Sequence, residues 1–96
     1  MNRLLLSAQL VERAAMRYTP AGLPALDVQL KHESELSENG QARKVSMELR
    51  ALGIGDVTQA LARLALGDAA LFAGFVTGSR NGRGLVFHIT SVEPQG

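Results

Sequence analysis

From residue 26 to residue 33 the chain alternates without a break. Leu26, Val28, Leu30 and His32 hold one parity, and Asp27, Gln29, Lys31 and Glu33 hold the other. A two-residue period puts successive side chains on opposite faces of a strand, whereas a helix would scatter them around its axis. Residues 23–33 therefore read as a strand with one buried and one wet face.

The same period recurs along most of the chain. Residues 2–13 carry Leu4, Leu6, Ala8 and Leu10 on one face. A short extended piece, residues 16–18, leads into Thr19-Pro20-Ala21-Gly22, which is turn chemistry. Residues 34–42 are polar, with Asn39-Gly40 inside, and read as a long mobile hairpin loop. The next strand, residues 43–51, points Val45, Met47, Leu49 and Ala51 inward and Ser46, Glu48 and Arg50 outward.

The period then changes. After Gly53-Ile54-Gly55, Asp56 is a suitable N-cap, and Val57, Ala60, Leu61 and Leu64 recur at helical spacing. Gly67 supplies the stop. Two last strands, residues 69–77 and 85–92, flank Gly78-Ser79-Arg80-Asn81-Gly82-Arg83-Gly84, where Asn-Gly is a strong hairpin signal. The order is three strands, one short helix and a closing pair. That is the all-β, five-stranded Greek-key barrel of the OB type, with residues 1–96 as one domain. An SH3-like barrel lacks that helix, and a ferredoxin-like fold needs one after its first strand.

The remaining bulk properties narrow the class. There is no cysteine, so disulfide scaffolds and thiolate metal sites are excluded. No apolar run approaches the roughly 18 residues of a membrane span. Leu4-Leu5-Leu6 is too short for a signal peptide core, and Gln9 and Glu12 interrupt it. A cytoplasmic protein with no membrane partner is expected. Ten basic and nine acidic residues give a net charge of +1, so any polyanion partner requires the cations to be sorted onto one side.

Catalytic and metal chemistry find little support. His32, Glu33 and Ser34 are consecutive, but on a strand Glu33 points away from both neighbours. His32 and Ser34 stand about 7 Å apart, so no local triad is expected. His32 and His88 fall on different strands without a cysteine or a supporting pattern, and no metal or other cofactor is implied. Gly53-x-Gly55 precedes a helix, but Asp56 at the helix start repels phosphate, and no Gly-Lys-Ser/Thr follows.

Basic residues at loops and on the outer strand faces carry more. Arg80 and Arg83 sit in the glycine-rich tip between the last two strands, a loop that binds oligonucleotides in OB folds. Arg17 near the first turn, Arg43 and Lys44 at the start of the third strand, and Arg50 further along it are the other candidates. Glu33, Glu35, Glu38 and Glu48 share that region, so its field is mixed. Single-strand binders stack bases on aromatic rings. Of Tyr18, Phe72, Phe75 and Phe87, at least two phenylalanines read as core, and Tyr18 is the candidate exposed platform.

Three segments, Asn2-Arg3-Leu4-Leu5-Leu6-Ser7-Ala8, Thr19-Pro20-Ala21-Gly22-Leu23-Pro24 and Leu30-Lys31-His32-Glu33-Ser34, resemble the primosomal replication protein N family, which is related to single-stranded DNA-binding proteins. The hairpin from Asn81-Gly82 to Leu85-Val86-Phe87-His88 fits as well. The resemblance spans the chain. It implies an OB-fold homodimer that binds single-stranded DNA without sequence specificity and is not an enzyme. It also implies a role in replication restart through the primosomal helicase and helicase-loading proteins. The family's basic positions fall on Arg17, Arg43, Arg80 and Arg83. Two positions depart: Glu33 stands where the family can carry a cation, and Ser46 where it can carry a tryptophan. The alternative is a protein–protein interaction module of the primosome with weak or no DNA binding.

Overall fold

A computed structural model describes residues 1–95. Its elements are β1 (Leu4–Arg13), β2 (Arg17–Tyr18), β3 (Pro24–Glu38), β4 (Gln41–Ile54), α1 (Val57–Arg63), β5 (Ala69–Gly78) and β6 (Leu85–Gln95). The five long strands run in the order β1-β5-β6-β4-β3, and β3 returns to β1 to close a barrel. Every pairing is antiparallel except β4 with β6, which is parallel over Ala51–Phe87 to Gly53–Ile89. The two-residue β2 pairs with β3 through Arg17–Ala25 and Tyr18–Pro24.

The core follows the two-residue period. Leu6, Ala8 and Leu10 of β1 meet Leu26, Val28 and Leu30 of β3, with Phe72 of β5 and Phe87 and Ile89 of β6. Leu10, Leu30 and Phe72 have no exposed surface, and burying each such side chain stabilises the fold by roughly 1.5–3 kcal/mol. Helix α1 closes one end with Leu61, while Leu64 just beyond it is also buried. The helix fits because Gly53 has no side chain: a β-carbon there would lie 2.5 Å from Leu61 Cδ1. Arg13 reaches the carbonyls of Leu61 and Leu64, placing a cation on the open carbonyl end of the helix.

Three local expectations change. Asp56 makes no capping hydrogen bond, because its backbone is already helical and a cap needs an extended one. Thr58 instead donates its hydroxyl to the Gly55 carbonyl at 2.7 Å. The helix ends at Leu64, which is extended, before Gly67. Gly67 occupies a left-handed turn whose N–H donates to the Leu10 carbonyl, anchoring the turn to β1.

The largest change concerns residues 34–42. They form no loop: β3 and β4 pair continuously from Ala25–Ile54 out to Glu38–Gln41. Only Asn39 and Gly40 turn the chain, at φ of 52° and 79°. Both values are positive, as the tightest hairpin turn requires. Beyond His32 the two strands leave the barrel as a ribbon, and the molecule measures 50 × 33 × 22 Å. Its radius of gyration, 14.1 Å, exceeds the roughly 12–13 Å of a compact chain this long. One side of the ribbon continues the parity of the barrel interior and leaves Leu36 and Met47 exposed.

Candidate nucleic-acid interface

Residues directly opposite in the ladders share a face, so the register assigns the outer surface of β3 and β4 row by row. Asp27 lies across from Leu52, Gln29 from Arg50, Lys31 from Glu48, Glu33 from Ser46 and Glu35 from Lys44. Arg43 belongs to the other parity, opposite Leu36. Arg43 and Lys44 are adjacent in sequence but project from opposite sides of the ribbon. Arg43 is also engaged, with its Nη2 2.8 Å from Glu38 Oε1.

Arg17 stands beside the outer face at β2. Its Nε donates to Asp27 Oδ2 at 2.7 Å and its Nη2 to Oδ1 at 3.2 Å, a two-pronged pair. These hydrogen bonds, and then the charge of Asp27, hold the Arg17 guanidinium above the ordinary arginine value. Its neighbour Tyr18 is 70% exposed, so the ring is open to solvent.

The tip between β5 and β6 is organised by Asn81. Its Oδ1 accepts the Ser79 hydroxyl at 2.7 Å and the Arg83 N–H at 2.9 Å. The Ser79 N–H closes the loop on the Gly84 carbonyl at 3.1 Å. Arg80 and Arg83 are exposed on this frame. Arg83 lies three residues from Val86, no more than about 10 Å of chain. Val86 in turn lines a groove with Arg50, Gln29, Glu12 and Asp27. The loop that carries Arg83 is therefore tethered within about 10 Å of the groove that holds Arg50, and Lys44 lies about 20 Å further along the ribbon. Among the described residues, none of Lys44, Arg50, Arg80 and Arg83 forms a salt bridge.

One aromatic was missed. Phe72 and Phe87 are buried, as at least two phenylalanines were expected to be, but Phe75 is 38% exposed. It stacks on His88, with ring centroids 4.9 Å apart and planes at 19°. The two face each other across β5 and β6, on a row that continues through Leu52 to Asp27. The signal was its parity with Leu71 and Ala73, opposite to that of Phe72.

The expectation that His32 and Ser34 stay apart is corrected. His32 Nε2 lies 2.8 Å from Ser34 Oγ, because the imidazole is long enough to span two same-face positions. His32 Nδ1 donates to the Ser7 carbonyl at 2.6 Å. A carbonyl only accepts, so Nδ1 is the donor in this contact. With its Nδ1 proton on β1, the ring clamps the root of the ribbon to the barrel. Among the described residues, no group of three or more His, Asp or Glu side chains gathers where a metal could be held. No helix among them is long and apolar enough to cross a membrane.

Comparison with known proteins agrees with this geometry. Residues 2–91 match a family model described as "another single-strand binding protein family". The chain superposes on a single-stranded DNA-binding protein from Thermus aquaticus with a TM-score of 0.77 at 25% identity, covering 100% of this chain and 50% of that one. The fold thus falls in the OB-type single-strand-binding class. Within that class, replication restart protein PriB of Bordetella pertussis is 46% identical over 80 residues, 83% of this chain and 75% of the relative. PriB from Ralstonia solanacearum superposes with a TM-score of 0.90 at 41% identity, over 100% of this chain and 99% of that one. The chain belongs to the PriB family of replication restart proteins.

Proposed function

We propose that this protein is a cytoplasmic, non-catalytic accessory factor of the replication-restart primosome that binds single-stranded DNA. The observation that carries the reading is the unpaired basic surface of Arg80, Arg83, Arg50 and Lys44 on a barrel of the single-strand-binding class. Contacts to phosphates position a strand without reading its sequence, so this binding is broadly sequence-tolerant. Tyr18 and the Phe75–His88 pair supply exposed rings for stacking. Arg17 and Arg43 are secondary, since each is neutralised by a carboxylate.

The acting unit is a homodimer of one-domain protomers, residues 1–96. β1 pairs with β5 through Leu4–Gln9 and with β3 only from Gln9 onward, so residues 4–8 have no strand partner on one edge, beside the exposed Leu5. An open edge recruits a second strand. Contacts with the primosomal helicase and helicase-loading proteins complete the reading. The exposed Leu36 and Met47 favour an alternative in which the ribbon mainly engages protein partners.

Fluorescence anisotropy of labelled oligo-dT, with the Arg80→Ala/Arg83→Ala double variant, tests the reading. Loss of about tenfold or more in affinity at low salt is the expected result. Unchanged affinity in the double variant would remove the hairpin from the site. No binding by the unaltered protein would leave the protein-partner alternative.

A further inference from the structure

The outer face holds a transverse row that phosphate binding does not explain. Glu12 of β1 lies across from Gln29 of β3, and Gln29 across from Arg50 of β4. Val86 of β6 stands at the Arg50 end, one step before the Ala51–Phe87 pairing. Glu12 is turned to this face by the irregularity between Leu10 and Glu12, which leaves Val11 unpaired in the ladder. Together these residues line a groove of about 340 Å³, near the lower bound of small-molecule sites.

The other charges in the groove are committed. Arg13 holds the carbonyls at the end of α1, and Asp27 is paired with Arg17. Glu12 and Arg50 form no salt bridge among the described residues. They cancel in net charge, so the groove is a poor seat for a phosphate. Two interstrand spacings put their Cα atoms about 10 Å apart, with the Gln29 amide between them. In order, the groove offers donors only, then an amide with both functions, then acceptors only.

Guanine is the base that complements this order. Going round its rim, the N7 and O6 acceptors of one edge are followed by the N1–H and N2–H donors of the adjoining edge. Arginine recognises O6 and N7 with two parallel hydrogen bonds, and a carboxylate accepts both donors. Adenine, cytosine and thymine do not place two adjacent acceptors beside two adjacent donors. We infer that the Glu12–Gln29–Arg50 groove seats one guanine of a bound single strand, adding a base preference at one nucleotide to otherwise sequence-tolerant binding. Arg83, within about 10 Å of chain from Val86, lies in reach of a neighbouring phosphate. The inference rests on the single-strand reading.

The test compares labelled fifteen-nucleotide strands of TTG, TTA and TTC repeats by anisotropy, with oligo-dT as reference. The readout is the affinity ratio of TTG to TTA within each protein, which removes overall changes in charge. The unaltered protein should prefer TTG about fivefold or more. The ratio should fall to near one in both Glu12→Gln, which keeps the shape of the side chain, and Arg50→Gln, which removes the two-pronged donor. Equal affinities in the unaltered protein, with oligo-dT still bound, would overturn the groove alone. A preference that survives both substitutions would also overturn it. Failure to bind any strand, oligo-dT included, would overturn it together with the single-strand reading.

Discussion

Ser46 lies directly across from Glu33 on the outer face of the ribbon, so the two departures that the family resemblance implies would form one cross-strand pair. Glu33 is drawn toward Lys31, whose Nζ is 3.4 Å from its carboxylate. The row therefore offers a strand of DNA neither a cation nor a ring. Restoring the ring should matter more, because stacking of a base on an aromatic contributes about 1–3 kcal/mol and is little screened by salt. Ser46→Trp should tighten oligo-dT binding by about fivefold or more. Tryptophan fluorescence quenching on titration would check this directly, since the chain has no tryptophan of its own. Unquenched emission at saturation would place the strand elsewhere. At this scale the sequence gives side-chain chemistry reliably and direction only where a period is visible. The outward direction of Arg50 follows from its period. The same period already sets Arg43 and Lys44 on opposite sides; what is hidden is the ion pair of Arg43 with Glu38, because residues 34–42 read as a loop without faces.

The ribbon shows why that happened. Burial writes a two-residue period into a strand, but most of residues 33–46 lie outside the barrel and have little to bury. Ser34, Glu35, Ser37 and Glu38 then look like loop composition, although they are paired residue by residue with β4. What holds the segment is the backbone ladder, the His32 clamp at its root and the turn at its tip. Gly40→Ala would place a side chain at a φ of 79°, at a cost of about 1–2 kcal/mol. Hydrogen exchange should quicken at residues 35–44 and stay unchanged in β1 and β5. Uniform change across the barrel would mean that ribbon and barrel unfold together. Gly74 marks a close approach inside β5. A β-carbon there would lie 1.8 Å from the His88 carbonyl oxygen, where the β5–β6 pairing shifts register. Gly74→Ala should therefore destabilise the whole fold by about 3 kcal/mol or more, read by urea denaturation. The barrel strands and the helix were legible from period alone, whereas this close approach leaves only a glycine as its trace.

A net charge of +1 would make a poor polyanion binder if the cations were spread evenly. They are not. Arg17, Lys31 and Arg43 are matched by carboxylates, and Arg13 is engaged at the end of the helix. Lys44, Arg50, Arg80 and Arg83 remain unpaired on the candidate surface. Each phosphate neutralised on a single strand releases counterions and adds about −0.7 to the slope of log affinity against log salt. With Arg50 turned to a base, three such contacts per protomer, from Lys44, Arg80 and Arg83, give a slope of about −2, and two protomers engaged on one strand about −4. Titrations of a long oligo-dT between low and moderate salt should fall at one of these values. A slope near −4 means that the strand crosses the dimer, which requires the two basic surfaces to be continuous across the β1 edge. A slope near −2 means that each protomer holds its own strand. A slope near zero with measurable binding would mean that stacking on Tyr18 and Phe75 carries the contact, and the arginine surface would lose its role.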